Sequence, residues 1–128
     1  MPWNRQWWLQ MDMHGGKNSA ISAVALNATA YAHRDKLFLI QFYDRVGDGD
    51  TYPSDGFSFL NGWVDTTTQP LKQDDWGMYI NYADGRLNRT QAQQVYWGAN
   101  LGRLRQIKRR YDPTDLFYYP LAIAPAGS

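Results

Sequence analysis

The chain has 128 residues, a formal net charge of +1 and no cysteine. This length is sufficient for one domain with a buried core, and the near-neutral charge gives no electrostatic reason to expect nucleic acid or an anionic membrane as a partner. The absence of cysteine excludes disulfides and thiolate metal sites, and because glutamate is also absent, every side-chain carboxylate available for acid–base chemistry is an aspartate.

Residues 1–13 carry no apolar stretch followed by small residues, which is the pattern of a secretory signal. No apolar run in the sequence approaches the roughly 20 residues that span a bilayer. As written, the sequence therefore predicts a cytoplasmic protein without a membrane partner, and secretion stays open if the chain is a fragment.

Two apolar runs predict β-strands. The first, Trp7–Met13, is rich in large side chains, alternates loosely and stops at the turn His14-Gly15-Gly16. The second, Leu37–Tyr43, is almost continuously apolar apart from Gln41, a pattern typical of a buried strand. We expect this second strand to be central in its sheet.

A loop at residues 46–54 separates the second strand from a predicted helix. Ser54 or Asp55 can cap this helix, whose apolar residues recur at a spacing of three to four. We expect the helix to cover one face of the sheet. A third strand is predicted at Trp76–Tyr82, followed by a turn.

Two helices are predicted near the carboxy terminus. The first is short and covers about residues 90–97, and the second begins near Asn100. The second ends before Pro113, because the residue before a proline is pushed out of the helical region.

Strands separated by helices, without strict βαβ alternation, predict an α+β fold. We expect an antiparallel sheet of about three to five strands, with helices on one face and a carboxy-terminal helix. A single domain over residues 1–128 is predicted, since no low-complexity linker or internal repeat divides the chain.

The first two strands supply candidate site residues, because side chains two apart on a strand point to the same face of a sheet. Trp8, Gln10 and Asp12 share one face of the first strand, and Gln41 is the polar residue of the second. An aspartate among tryptophans is a candidate general base, since apolar surroundings favour proton uptake by a carboxylate. From the pattern alone a structural interpretation is favoured: Asp12 can cap the following turn, and Gln41 can be a hydrogen-bonded core residue.

The third predicted strand adds a second set of candidates. Tyr79 and Asn81 share one face of this strand, and Tyr82 lies on the other. A tyrosine near the aspartate can act as a phenolate base or hydrogen-bond a substrate hydroxyl. The sequence leaves open which of Tyr79 and Tyr82 faces the pocket.

Residues 81–123 resemble the closing segment of the berberine-bridge-enzyme-like FAD-linked oxidases. The most specific motifs are Tyr96-Trp97-Gly98-Ala99-Asn100, Tyr111-Asp112-Pro113 and Phe117-Tyr118-Tyr119-Pro120. Residues 9–16, 27–34 and 39–42 resemble the substrate-domain sheet of the same family, closest to its oligosaccharide oxidases and fungal tailoring oxidases. The resemblance divides the chain into a substrate-domain-like part, about residues 8–84, and a berberine-like segment, about residues 85–125.

The resemblance implies a catalytic pair. In this family an acidic residue on the strand before a double glycine, assisted by a tyrosine, removes the proton of a substrate hydroxyl while hydride moves to the flavin. The resemblance places Asp12 in the acidic role and Tyr82 or Tyr79 in the tyrosine role, with Gln41 as a substrate contact.

Further substrate contacts are expected beside this pair. Trp8 is expected to be a stacking platform, because an aromatic ring offers a large apolar area with few rotors. Gln10, on the first predicted strand, and Asn81, on the third, are also expected to contact the substrate.

The resemblance also implies that part of the closing segment approaches the flavin ring. The residues concerned are Tyr96, Trp97, Gly98 and Asn100. Family members hold the flavin in a large amino-terminal domain through a covalently bonded histidine, and neither His14 nor His33 has the Arg-x-x-Gly-His context of that residue. FAD is therefore expected only if a partner flavin domain supplies it, and no metal site is predicted.

Three functions are compatible with these residues. The first is the substrate-side portion of an FAD-dependent oxidase, which takes hydride from a sugar or polycyclic metabolite and needs a flavin-domain protein as partner. The second is a stand-alone, cofactor-free isomerase, dehydratase or cyclase of secondary metabolism that reuses the aromatic pocket. The third is a non-catalytic binding subunit or a homo-oligomer that pairs through an exposed apolar face.

Overall fold

The computed structural model describes residues 4–127, so the predicted domain range extends slightly beyond it at both ends. Within this range, two β-strands are followed by three α-helices. The strands are β1 (Gln6–Met13) and β2 (Phe38–Arg45), and the α-helices are α1 (Gly56–Thr68), α2 (Arg89–Trp97) and α3 (Leu101–Tyr111). Short 3₁₀ helices occupy Gln73–Asp75, Ile80–Tyr82 and Gly98–Asn100.

The two strands confirm the predictions made from the two apolar runs. They pair in antiparallel register, with Gln10 opposite Gln41. The α+β class is confirmed, but the size of the sheet is not: across residues 4–127 it has two strands instead of three to five. β2 is therefore an edge strand, and the prediction that it is central is wrong for the described part of the chain.

The third predicted strand, Trp76–Tyr82, is wrong. Trp76 and Tyr79 have extended backbone angles, with φ and ψ of −137° and 165° and of −90° and 119°. After Tyr79 the chain turns into a 3₁₀ helix, and the Met78 N–H donates to the carbonyl of Val95 at 2.9 Å. A strand is defined by hydrogen bonds to a neighbouring strand, and this segment has none among the described residues. The alternation argument that put the two tyrosines on opposite faces therefore fails.

α1 covers one face of the sheet, as predicted. The Trp63 ring meets the Trp7 ring edge-on, with 5.2 Å between centroids, and lies 5.9 Å from the Phe42 ring. The Phe59 ring lies 6.2 Å from Trp7. The register places the side chains of Trp7 and Phe42 on the same face of the sheet. α1 therefore lies on that face, and the opposite face is free of this helix.

An ion-paired cluster fastens the end of the sheet to the start of α1. The Arg5 guanidinium donates to both carboxylate oxygens of Asp44, at 2.9 and 2.7 Å, and the Tyr52 hydroxyl donates to the same carboxylate at 2.8 Å. The hydrogen bond from Arg5 lowers the pKa of the Asp44 carboxyl. Arg5 also pairs with Asp55 at 3.2 Å, so the carboxylate predicted to cap α1 contacts an arginine and makes no capping hydrogen bond.

The buried core lies around α2 and not around the sheet. Its members are Ala92, Tyr96, Trp97 and Leu121. α2 begins with a capping box, in which the Asn88 side chain accepts from the Gln91 N–H and the Gln91 side chain accepts from the Asn88 N–H. α3 ends at Tyr111, before Pro113, as predicted. Both carboxy-terminal helices are therefore confirmed.

A second charged cluster holds the turn after α3. Asp115 has a left-handed backbone, with φ of 56°, and its carboxylate pairs with Arg89 at 2.7 Å and with Lys108 at 2.9 Å. Arg89 also donates to the carbonyls of Ala122 and Ile123, at 2.8 and 3.1 Å. The cluster therefore ties α2, α3 and the carboxy-terminal segment together.

We predict that the cluster around Asp115 makes the free energy of unfolding depend on pH in the acid range. The hydrogen bond from Arg89, followed by that from Lys108, lowers the pKa of Asp115 from 3.8 to about 2. When a carboxyl group has a lower pKa in the folded chain than in the unfolded chain, its ionised form stabilises the fold at every pH above the unfolded pKa. This contribution is lost as the pH falls through the folded pKa. Thermal unfolding of Asp115→Asn, which keeps a side chain that tolerates a left-handed backbone, should therefore show a smaller loss of stability between about pH 4 and about pH 2 than the unsubstituted chain.

Asp48→Asn is the matched control, since Asp48 lies exposed in the loop after β2. It should keep the acid profile of the unsubstituted chain. Identical profiles for Asp115→Asn and the unsubstituted chain would show that the cluster does not couple folding to protonation.

Large apolar side chains are exposed on both the sheet and the carboxy-terminal segment. β1 is exposed along its whole length, with Trp7 52% and Met13 73% accessible, and Leu116 and Phe117 are 78% and 77% accessible. Exposed apolar surface of this kind marks sites of contact with other protein or with ligands. Among residues 4–127, no helix is both long and apolar enough to cross a membrane.

Candidate functional site

The sheet face that is free of α1 carries four of the predicted site residues. Directly opposed residues in an antiparallel pair point to the same face, and the register opposes Trp8 to Tyr43, Gln10 to Gln41 and Asp12 to Leu39. The side chains of Trp8, Gln10, Asp12 and Gln41 therefore lie together, as predicted from the alternation. We call these four residues, with Tyr43, the polar sheet face.

Tyr43 was missed by the sequence reasoning. Its ring stacks on Trp8, with 3.9 Å between centroids and an interplanar angle of 20°. The rings cover each other's inner faces, and Trp8, which is 41% exposed, leaves aromatic surface accessible at one end of the polar sheet face. Its position two residues after Gln41 is the signal that places it on this face.

Asp12 lies at the other end of the polar sheet face. It is exposed, and its carboxylate accepts a hydrogen bond from the Gln10 amide nitrogen at 3.1 Å. The expected apolar surroundings of this carboxylate are not found among the described residues. The Gln10 amide nitrogen also lies 3.4 Å from the second carboxylate oxygen, and the side chain as a whole stays exposed.

Tyr79, Asn81 and Tyr82 form a second group. The Asn81 amide donates to the Tyr79 hydroxyl at 2.6 Å, and the Tyr79 and Tyr82 rings meet edge-on at 5.4 Å. All three line a cavity of about 880 Å³ that also includes Gln41. Both tyrosines therefore face the same cavity, although the predicted strand had placed their side chains on opposite faces.

Gln41 lies on the polar sheet face and also lines the cavity of the second group. No hydrogen bond within residues 4–127 joins Asp12 to Tyr79 or Tyr82; the carboxylate contacts only Gln10 in this way. The predicted pairing of Asp12 with a tyrosine is thus not formed by a direct contact in the described chain.

A histidine–tyrosine pair lies between the two groups and was also missed. His14 follows β1, and its Nε2 lies 2.6 Å from the Tyr31 hydroxyl. The Tyr31 ring meets the Tyr79 ring edge-on at 6.0 Å, and burial raises the pKa of the Tyr31 hydroxyl. No spacing rule connects His14 with Tyr31, because a loop of irregular structure brings them together.

The segment expected to approach a flavin packs into the core. Tyr96 is 2% exposed, and its hydroxyl accepts from the Asp84 N–H at 2.8 Å. The Asn100 amide donates to the carbonyls of Leu26 and Thr29, at 2.8 and 3.2 Å. These side chains hold neighbouring loops in place.

The two remaining residues of that segment shape the backbone. Trp97 is 9% exposed, and Gly98 has φ of 43°, a conformation that glycine adopts without steric cost. Gly98 thus permits the sharp change of direction between α2 and the 3₁₀ helix that precedes α3. Contact of any of the four residues with a flavin stays a prediction.

No group of three or more histidine, cysteine, aspartate or glutamate residues in the described range could hold a metal ion.

Comparison with known protein families and proteins shows what this chain is similar to. Residues 78–124 match the family model for berberine and berberine-like proteins. The chain is 56% identical over 122 residues to a carbohydrate oxidase from Microdochium nivale and 54% identical over 125 residues to a xylooligosaccharide oxidase from Thermothelomyces thermophilus. Each match covers 95% of this chain and 25% of the relative.

Solved structures give the same result. The crystal structure of the Microdochium nivale carbohydrate oxidase in complex with a substrate analogue superposes with a TM-score of 0.91 at 56% identity, and it covers 95% of this chain and 26% of that one. The glucooligosaccharide oxidase of Acremonium strictum, described with a 6-S-cysteinyl, 8α-N1-histidyl FAD, gives 0.90 at 48% identity, with the same coverage. The chain spans about a quarter of the length of these relatives, and in sequence and fold it is similar to the part of these oxidases that includes the berberine-like segment.

Proposed function

We propose that the chain is the substrate-side portion of an FAD-dependent oxidase that acts on an oligosaccharide. The observation that carries the proposal is the polar sheet face, where the register places Trp8, Gln10, Asp12 and Gln41 side by side. The names of the relatives support the substrate class, since they include carbohydrate, xylooligosaccharide, glucooligosaccharide and chitooligosaccharide oxidases.

The chemistry of the polar sheet face suits a sugar. The stacked rings of Trp8 and Tyr43 offer an apolar platform for the C–H face of a pyranose ring. The amides of Gln10 and Gln41 carry both donors and acceptors, which suits hydroxyl groups. A ring bound on the platform thus has amide partners beside it and a carboxylate at its far end.

Asp12 is the general base in this proposal. Oxidation of a sugar at its anomeric carbon breaks one C–H and one O–H bond: the hydroxyl proton passes to the Asp12 carboxylate, and the hydride leaves with its electron pair as the C=O bond forms. The carboxylate is exposed and oriented by Gln10, so it can reach a hydroxyl of the bound ring. Tyr79 and Tyr82, which line the same cavity as Gln41, are proposed to assist the base or to bind a substrate hydroxyl.

The flavin supplies the acceptor of the hydride when it is bound. We propose that it is held by the part of the relatives that this chain does not span, which is about three quarters of their length. Whether that part belongs to the same polypeptide or to a separate flavin-domain protein makes no difference to the roles of the polar sheet face.

A chimeric oxidase tests the proposal. It consists of the Microdochium nivale carbohydrate oxidase with its matching quarter replaced by this chain, which the 56% identity makes feasible. We expect the chimera to bind flavin and to oxidise at least one of the xylo-, gluco- or chitooligosaccharides. A folded, flavin-loaded chimera that oxidises none of them would contradict the proposal.

Trp8 gives a sharper test within the chimera. Trp8→Ala removes the platform, and because aromatic stacking contributes about 0.5–1.5 kcal/mol, oligosaccharide binding should weaken about 2- to 12-fold. Titration of a non-oxidised substrate analogue measures this change. Tyr111→Ala, at a tyrosine of α3 that is 74% exposed, is the control and should bind the analogue like the unsubstituted chimera. Equal affinities of the Trp8→Ala and Tyr111→Ala variants would show that Trp8 does not bind the substrate.

A further inference from the structure

His14 extends the pairing of β1 by one residue, and its side chain lies on the side of the sheet that carries Asp12. The His14 N–H donates to the carbonyl of Leu37 at 2.9 Å, in the register that opposes Met13 to Phe38. Side chains two apart on a strand share a face, so the imidazole follows Asp12 along the polar sheet face. The proposed base and the half-buried imidazole are therefore neighbours on one strand.

The backbone around His14 is held on both sides. The Ser19 hydroxyl donates to the His14 carbonyl at 3.0 Å, and the Gly15 N–H donates to the carbonyl of Leu37 at 3.0 Å. A Cβ at Gly15 would collide with the carbonyl oxygen of Lys36, so only glycine permits this close approach. The turn after β1 is therefore tight, and it fixes the direction in which the imidazole leaves the strand.

Tyr31 binds the imidazole and is enclosed by other aromatic rings. Its hydroxyl lies 2.6 Å from His14 Nε2. Burial raises the pKa of this hydroxyl, which therefore keeps its proton at neutral pH and can donate it to an unprotonated Nε2. The Tyr31 ring meets the rings of His14, His33 and Tyr79 edge-on, at 5.5, 5.7 and 6.0 Å between centroids. Because edge-on contacts at these distances are favourable, the ring has one preferred position once its hydroxyl is bound.

Tyr79 lies at the end of this series of contacts. Its ring meets the Tyr31 ring and also the Tyr82 ring, the latter at 5.4 Å, and its hydroxyl accepts from the Asn81 amide at 2.6 Å. No hydrogen bond within the described part of the chain joins Tyr79 directly to Asp12. A contact path from the strand of Asp12 to Tyr79 runs instead through the histidine–tyrosine pair.

We propose that His14 and Tyr31 are positioning residues, which fix the place of Tyr79 relative to Asp12 during the oxidation. The inference rests on the proposed function, because the separation of Asp12 and Tyr79 matters only when a substrate lies between them. The hydrogen bond holds the Tyr31 ring, and that ring holds the edge-on contact with Tyr79. A shift of about 1 Å in a group at the reacting centre can lower the rate about 100-fold, so one hydrogen bond at this place has a large effect.

Steady-state kinetics of variants of the chimeric oxidase tests the inference. Tyr31→Phe removes only the hydroxyl and keeps the ring beside Tyr79, and His14→Leu removes the imidazole at the other end of the same hydrogen bond. After correction for flavin content, each should lower kcat about 10- to 100-fold and leave KM for the oligosaccharide within about twofold. The double variant should be no slower than the slower single variant, since both changes remove one hydrogen bond.

A rescue variant and a control separate positioning from folding. His14→Gln should recover most of kcat, because its amide can donate to or accept from the Tyr31 hydroxyl. Ser19→Ala removes the hydrogen bond to the His14 carbonyl but keeps the imidazole; it should lower the melting temperature slightly and leave kcat unchanged. An unchanged kcat in Tyr31→Phe, a kcat as low in His14→Gln as in His14→Leu, or an equal loss in Ser19→Ala would each overturn the inference.

A nuclear magnetic resonance measurement on the chain alone distinguishes this inference from the proposed function. In the chain labelled with ¹³C-tyrosine, the ring resonances of Tyr79, assigned by their loss in Tyr79→Phe, should move in Tyr31→Phe and in His14→Leu and should return towards their original positions in His14→Gln. This result, together with a chimera that oxidises no sugar, would retain the positioning of Tyr79 and contradict the oxidase function. Sugar oxidation with Tyr79 resonances that stay in place in Tyr31→Phe and His14→Leu would retain the function and contradict the inference.

Discussion

Asp12→Asn in the chimeric oxidase is expected to lower kcat about 100- to 10,000-fold, the range by which a positioned general base accelerates proton transfer. Asparagine keeps the shape of the side chain and its ability to accept the hydrogen bond from Gln10. It cannot take up the substrate proton at neutral pH. KM for the oligosaccharide should therefore change little, and steady-state kinetics with a saturating substrate series gives both constants.

Two controls separate catalysis from folding. Asp48→Asn removes an exposed carboxylate of the loop after β2 and should leave kcat unchanged. The flavin content and melting temperature of Asp12→Asn should match those of the unsubstituted chimera. A kcat within about threefold of the unsubstituted value, far less than the effect of losing a base, would transfer the role to another group, and Tyr79 and Tyr82 would be the next to test.

Tyr96→Ala is expected to destabilise the chain by about 3–5 kcal/mol, as is usual when a buried aromatic side chain is removed. Tyr96 is the largest fully buried side chain of the described range, and it packs beside Trp97 with 5.7 Å between ring centroids. Its loss leaves a cavity in a core of few residues. Urea unfolding followed by circular dichroism measures the free energy of unfolding.

Tyr96→Phe isolates the hydroxyl, which accepts the Asp84 N–H. The part-buried N–H would lose its partner, so we expect a smaller destabilisation of about 0.5–1.5 kcal/mol. Tyr119→Ala is the control, because Tyr119 is 51% exposed, and it should change stability by less than either Tyr96 variant. A stability of Tyr96→Phe equal to that of the unsubstituted chain would show that the hydroxyl does not support the turn at Asp84.

Local patterns in the sequence predicted the elements whose stability is local. The helical spacing of α1 and the proline after α3 depend on neighbours within a few residues. β1 and β2 were predicted from apolar runs, and they pair with each other within the described chain. Trp76–Tyr82 has a strand-like composition, but a strand needs a partner, and residues 4–127 provide none for it.

The site was predictable to the extent that alternation determines it. The period of two placed Trp8, Gln10 and Asp12 on one face, and the register brought Gln41 to them. The stacked partner Tyr43 follows from the same rule, once the register is known. The contact between His14 and Tyr31 depends on an irregular loop, so no periodic pattern predicts it.

The flavin segment shows why a motif does not by itself give the role of a side chain. Tyr96 and Asn100 belong to the most specific motif of the sequence, and in the structure both side chains bind the backbone of neighbouring loops. Within the described chain they hold Asp84 and the loop residues Leu26 and Thr29. A motif shared with flavin enzymes is therefore compatible with residues that shape the fold and contact no cofactor.

Anaerobic mixing of the chimeric oxidase with an oligosaccharide tests most directly whether this chain forms the substrate side of an oxidase. The visible absorbance of the flavin reports hydride transfer in a single turnover, without oxygen and without product release. We predict that the flavin bleaches in the unsubstituted chimera and bleaches at least about 100-fold more slowly with Asp12→Asn. Bleaching at the same rate in both proteins, or no bleaching in a folded and flavin-loaded chimera, would contradict the assignment of the polar sheet face as the catalytic surface.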